Sequence, residues 1–189
     1  MGGEIVVVGM KAGPESGDGP GAVHVIWREG SGWKSALALE TGALAHGVAV
    51  GEAGIFVTGY DRQVHLLRER DGSFERVASA ELPGNGKCAL AVPGGVLLAC
   101  TDGSLVEAKL VGGKLVTSVL DKRASGRARL ATDGTRILAC DDDGTLTLLS
   151  PSGRQEIYTE AMKLRGAVSP TWTRARPASR RPRPATRAA

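Results

Sequence analysis

Thr135-Arg-Ile-Leu-Ala-Cys-Asp-Asp-Asp-Gly-Thr-Leu-Thr-Leu-Leu-Ser-Pro-Ser-Gly153 decides how the rest of the chain is read. An apolar run stops at three aspartates and a glycine, alternation resumes at Leu146, and Pro-Ser-Gly closes the phrase. That is strand, tight turn, strand, turn. The phrase occurs twice before, as Val96-Leu-Leu-Ala-Cys-Thr-Asp-Gly-Ser-Leu-Val106 and as Ile55-Phe-Val-Thr-Gly-Tyr-Asp-Arg-Gln-Val-His65. A phrase repeated at long, fixed spacing is a signal of fold before it is a signal of function.

The spacing can be read from residue numbers. Val23, Val64, Leu105 and Leu146 follow one another at intervals of 41, as do Trp33, Phe74 and Leu115. Gly59, Cys100 and Cys140 fall at 41 and then 40, and so do Gly72, Gly113 and Gly153. Within each period the chain predicts four short strands. The clearest unit has them at 88–92, 96–100, 105–110 and 115–120. The units before and after it repeat the pattern at 45–50, 55–59, 64–67 and 74–79, and at 127–131, 136–140, 145–150 and 155–158. Strands at 4–9, 23–27 and 33–39 form a first unit that lacks its first strand.

Four strands every 40 or so residues indicate an all-β array of about four radial blades, a β-propeller-like domain over residues 1–170. One small sheet cannot bury both of its faces alone. Sheets stacked around an axis cover one another, which explains strands such as Val96-Leu-Leu-Ala-Cys100 that are apolar throughout.

Asp142-Asp-Gly-Thr-Leu-Thr-Leu-Leu-Ser-Pro-Ser-Gly153 resembles the second-to-third strand segment of WD-repeat propellers, and Val23-His-Val-Ile-Trp27 resembles the third strand with its terminal tryptophan. Ala167-Val-Ser-Pro170 resembles the start of a further blade. The resemblance is degenerate: the tryptophan position holds Arg68, Lys109 and Ser150 in the later units, and His46 precedes Gly47 where the family has Gly-His. The resemblance implies turn aspartates at Asp61, Asp102 and Asp142 or Asp143. It also implies that His46, Thr58 and Asp61 form part of the family's His–Ser/Thr–Asp network, with His46 as the partner of a turn aspartate. The function it implies is a protein-interaction scaffold.

Composition narrows the alternatives. The 189 residues include 27 glycines, suited to many turns and not to long helices. The net charge of +4 belongs to the tail: residues 171–189 hold six arginines and no acid, and removing those from the 24 basic residues leaves 18 against 20 acidic ones. The body is therefore not a basic nucleic-acid-binding surface. The tail, rich in Arg and Pro, reads as disordered, and its abrupt start after Pro170 reads either as a shifted reading frame in GC-rich coding sequence or as a genuine basic tail. Nucleic acid binding through it is a third reading, with Trp172 alone there to stack a base.

The ends leave two readings open. The strand predicted at 166–169 either completes the first unit and closes a four-bladed ring, or begins another blade of a larger propeller. An incomplete ring predicts self-association through exposed blade edges.

No catalytic, cofactor or metal site is expected. Asp141-Asp-Asp-Gly-Thr145 lacks the spacing of an EF-hand loop and reads as a turn. Val6-Val-Val-Gly-Met-Lys-Ala-Gly13 is followed by Pro and Gly instead of a helix, against phosphate binding. His24 and His65 lie at equivalent places in different units and read as packed or rim residues. Cys88, Cys100 and Cys140 have no disulfide or zinc spacing and read as buried thiols. With no Ser nucleophile motif or CxxC, the expectation is a non-enzymatic scaffold in the cytoplasm, with a protein partner and no membrane contact. The alternative class is a propeller hydrolase or lactonase-like enzyme with a channel metal.

Overall fold

The computed structural model describes residues 5–11 and 20–158. Among these there are fifteen strands and no helix. A first sheet has three strands, β1 (Ile5–Lys11), β2 (Gly21–Glu29) and β3 (Gly32–Thr41). The second holds β4 (Ala45–Gly51), β5 (Gly54–Gly59), β6 (Gln63–Arg70) and β7 (Ser73–Glu81). The third holds β8 (Gly86–Val92), β9 (Gly95–Cys100), β10 (Ser104–Val111) and β11 (Lys114–Lys122). The fourth holds β12 (Arg127–Thr132), β13 (Ile137–Asp141), β14 (Leu146–Ser150) and β15 (Gly153–Tyr158). All pairings join strands adjacent in sequence, and all are antiparallel.

Each sheet packs on the next through residues that alternate along its central strands. On β9, Val96, Leu98 and Cys100 join Phe56, Val64 and Leu66 in the core between the second and third sheets. Leu97 and Ala99 point the other way, to Leu130 and Ala139 of the fourth sheet. The two-fold period of a strand thus sends one apolar run into two cores. Likewise Phe56 faces the third sheet, whereas Ile55 and Val57 face Val23, Val25 and Leu39 of the first. Trp27 and Phe74 meet edge-to-face across that first joint, ring centroids 5.9 Å apart.

The first strands β4, β8 and β12 lie against one another in succession, as do the outer strands β3, β7 and β11. This is the radial arrangement of blades. Among the described residues no core joins the fourth sheet back to the first, so the four sheets form an arc.

The register corrects one equivalence. Cys100 pairs with Gly86, whereas Cys140 pairs with Arg129 and Asp141 takes the place opposite Arg127. The period is therefore 41 here too: Gly59, Cys100 and Asp141 are equivalent, and Cys140 corresponds to Ala99. Cys100 is fully buried, while Cys88 and Cys140 are partly buried; all three are free thiols. The stretches 12–19 and 159–189 lie outside the described residues, and with them the glycine loop, the predicted strand at 166–169 and the arginine tail.

Candidate functional site

Antiparallel topology brings three repeated features to one end of the arc: the turn after each second strand, the start of each first strand, and the connectors between sheets. The connectors, residues 42–44, 82–85 and 123–126, are bonded to the turns in a repeating way. The amides of Tyr60, Thr101 and Asp142 donate to the carbonyls of Leu44, Asn85 and Gly126. Those of Leu82 and Arg123 donate to the carbonyls of Arg62 and Gly103.

One aspartate organises each turn. Asp61 Oδ1 accepts the Gln63 amide (3.2 Å), Asp102 Oδ1 the Ser104 amide (3.1 Å) and Asp143 Oδ1 the Thr145 amide (2.9 Å). An aspartate that bonds the amide two residues on mimics a backbone turn. Asp143 is thus the third turn aspartate, and Asp142 is not. Asp142 instead receives Lys87 Nζ of the third sheet at 2.7 Å. The next turn residue is left-handed in all three turns, with φ of 57° at Arg62, 86° at Gly103 and 88° at Gly144.

His46, Thr58 and Asp61 do not form one network. Thr58 Oγ1, fully buried, donates to the Gln63 carbonyl (2.9 Å) and so closes the turn. Asp61 Oδ2 is held by His65 Nε2 at 2.7 Å, and His65 Nδ1 lies 2.9 Å from the Ser79 hydroxyl. His65, only 2% exposed, is therefore the histidine partner of the turn aspartate, in place of His46. His46 Nδ1 donates to the Lys87 carbonyl (2.8 Å), and its ring stacks on Tyr60 at a centroid distance of 6.0 Å. His24 belongs to the first sheet, at the place equivalent to His65, and pairs with Val8 across the ladder.

A β-bulge redirects His46. The ladder skips a residue between Ala45 and Gly47, between Gly86 and Cys88, and between Arg127 and Arg129. The skipped residues, His46, Lys87 and Ala128, repeat at intervals of 41. A bulge takes its extra residue out of the pairing and re-aims its side chain. Here it puts an exposed imidazole and a partly exposed ammonium at the turn rim, beside exposed Arg62.

Charge on the rim follows local contacts. Burial works against the Asp61 carboxylate, but the hydrogen bond and charge of His65 and the Gln63 amide outweigh it, so its pKa lies below the ordinary range. Burial also opposes Asp102, which Lys122 and Ser104 hold below that range. Asp143 is lowered chiefly by the Thr145 amide. The last joint carries an ion network that sequence reading missed. Arg127, fully buried, contacts Asp121, donates Nε to the Gly103 carbonyl (3.0 Å), and places Nη1 3.1 Å from buried Asp141. Arg123 Nε stands 3.3 Å from the other Asp141 oxygen and also pairs with Glu156. Burial nonetheless raises the Asp141 pKa against the pull of both arginines.

Among the described residues no three His, Cys, Asp or Glu side chains converge as a metal ion would need. No helix among them is long and apolar enough to cross a membrane.

No family model matches the sequence, and no curated protein matches it. Among solved structures the chain is similar to the β-propeller domain of Cps50 (Swd1) from Myceliophteria thermophila, with a TM-score of 0.56 and 14% identity. The match covers 81% of this chain and 54% of that one, so the chain spans about half the length of the domain it resembles. At that identity the likeness speaks to fold, and the fold is propeller-like: successive antiparallel sheets stacked as blades.

Proposed function

We propose that this chain is an interaction scaffold of the WD-repeat type, which docks a protein partner on the rim built by Asp61, Asp102 and Asp143. The observation that carries this reading is the repeated bulge. It withdraws His46 and Lys87 from the ladder and sets them at the rim with Tyr60 and left-handed Arg62. Bulges are over-represented at barrel rims and next to active sites, where they re-aim a side chain. The rigid sheets beneath keep these groups in fixed relative positions, which lowers the ordering cost of binding.

The test compares two surface variants of the full chain. One replaces His46, Tyr60 and Arg62 with alanine; the other replaces Arg70, Asp71 and Glu75 at the opposite rim. A protein captured by the wild type and by the opposite-rim variant, but lost at least tenfold by the first, supports the reading. Equal capture by both variants overturns it. The propeller hydrolase reading finds no cluster of three metal-ligating side chains among the described residues to carry it.

A further inference from the structure

We propose that the protein docked on the aspartate rim, the surface on which this inference rests, meets the second sheet with an acidic segment whose carboxylate is taken by the Arg62 guanidinium. The rim is rich in carboxylates, yet they are engaged within the sheets. Asp61 turns both oxygens inward, one to the Gln63 amide and one to His65, and its side chain is only 15% exposed. Asp102 is held by Lys122 and the Ser104 hydroxyl. Asp142 receives the Lys87 ammonium on both oxygens, at 2.8 and 2.7 Å. The same pairs occupy the two lysines, and Arg123 is paired with Asp141 and Glu156.

Arg62 differs from these cations. Its side chain is exposed, and its bond runs from Nη2 to the Pro83 carbonyl at 3.0 Å. A carbonyl fixes the guanidinium without cancelling its charge. Of its five N–H donors this bond uses one, and no carboxylate pairs with it among the described residues. Because Asp61 is turned inward, the second turn carries a positive charge that its own sheet does not answer.

The groups beside Arg62 suit a peptide. Tyr60 and His46 stack with their ring planes 9° apart, which makes a flat surface. His46 Nδ1 donates to the Lys87 carbonyl, so the neutral imidazole presents Nε2 as an acceptor. An extended acidic segment offers a counterpart to each: a carboxylate for the guanidinium fork, a backbone N–H for Nε2, and side-chain surface for the rings.

Charge selects among anions. A phosphorylated side chain carries a charge of about −1.5 to −2, and a nucleic acid presents a repeating row of phosphates. Each calls for several uncommitted cations, and Lys87 and Lys122 are committed to Asp142 and Asp102. One guanidinium matches one carboxylate, which it can hold through two parallel bonds.

The experiment selects random peptides displayed on phage against the full chain. Recovered peptides are expected to share an Asp or Glu at one aligned position. A synthetic peptide from that set should bind Arg62→Ala at least about tenfold more weakly, the size of one lost charge-assisted pair. Arg62→Lys, which keeps the charge without the fork, should weaken it several-fold. Exchanging the acid of the peptide for Asn or Gln should weaken binding to the wild type about as much as Arg62→Ala does, and should change binding to Arg62→Ala little. An acidic position that matters equally in both proteins overturns the assignment to Arg62. Peptides with no acidic position that are lost when His46, Tyr60 and Arg62 are all replaced by alanine overturn this inference and leave the docking surface standing. Peptides that bind that triple variant undiminished overturn both, as does recovery of no peptide. Phosphoserine at the acidic position, bound more than tenfold tighter than Asp or Glu, overturns the carboxylate in favour of phosphate.

Discussion

Arg127 Nη1 lies 3.1 Å from Asp141 Oδ1, and both side chains are buried where the other sheets hold small residues. The equivalent ladder pairs are Ala45 with Gly59 and Gly86 with Cys100. Removing one partner leaves an uncompensated charge out of water. Arg127→Ala or Asp141→Ala alone is expected to cost about 3–5 kcal/mol. The double change Arg127→Gly, Asp141→Cys installs the pair of the third sheet and is expected to cost less than the sum of the singles. A double-mutant cycle from urea unfolding, closed with the matching singles Arg127→Gly and Asp141→Cys, measures this, and additive losses would mean that the two charges do not depend on each other.

Thr58 fills a joint that glycine leaves open. A Cβ on Gly86 would overlap the Thr58 side chain, lying 2.6 Å from its Cγ2, and one on Gly47 would lie 2.8 Å from the same methyl. Gly86→Ala is expected to destabilise by about 1–3 kcal/mol through overpacking. The Thr58 hydroxyl would stand closer still to that Cβ, so Thr58→Ser, which removes only the methyl, is expected to leave most of the loss in place in thermal unfolding.

Asp61 couples stability to acid. Its folded pKa is depressed, so the stability it contributes is present above the ordinary aspartate value of about 3.9 and is lost as pH falls through the lower folded value. Asp102 and Asp143 shift in the same direction. Unfolding followed from pH 6 to pH 2 should show stability falling from about pH 4 downward, with a shallower fall in Asp61→Asn. His65→Ala strips the half-buried Asp61 carboxylate of its partner and should cost about 1–3 kcal/mol at neutral pH. Ser79→Ala, at an exposed residue, should cost no more than about 0.5 kcal/mol.

Left-handed turns separate Arg62 from Gly103. Arg62→Gly relieves unfavourable φ but adds freedom to the unfolded chain, and the two effects nearly offset at about 0.5 kcal/mol or less. Gly103→Ala has no such compensation. Its Cβ would press on the carbonyls of Arg123 and Ser125, the latter at 2.6 Å, and the loss should exceed about 1 kcal/mol. Chemical denaturation of the two variants tests the asymmetry.

Thiol reactivity should follow burial. Burial, with the nearby Asp102 charge, pushes the Cys100 thiol up to about 12, and burial also raises Cys88 and Cys140. At pH 8 a thiol reagent should modify Cys100 last, and only as the protein opens. Rapid labelling of Cys100 in the folded state would contradict its place in the core.

The blades were legible because a fixed period and strands apolar on both faces are properties of the chain itself. Cys100 and Cys140 misled because both end apolar runs, yet the ladder pairs Asp141, and not Cys140, opposite the first strand. At the strict interval of 41 residues, Arg127 and Asp141 stand as a joint replacement of two small residues, which was the available clue to the buried ion pair. The same interval selects Asp143 over Asp142. The choice between His46 and His65 was not legible in this way. It depends on a one-residue bulge that turns His46 away from Asp61, and the bulged positions hold His46, Lys87 and Ala128, which share no residue type that would mark them.

The two ends of the sheets tolerate changes in length differently. The pairs Val64–Ala80 and Leu105–Asp121 each span 16 residues, but Leu146–Tyr158 spans 12, so the last outer hairpin is four residues shorter and its ladder still forms. The connectors at the aspartate rim stay at three or four residues. Insertions can therefore accumulate at the hairpin tips without disturbing the blades, while the aspartate rim keeps its spacing. A foreign loop grafted between Val111 and Lys114 should be carried as a passenger, which makes the far rim the natural place to attach a reporter or a second binding specificity.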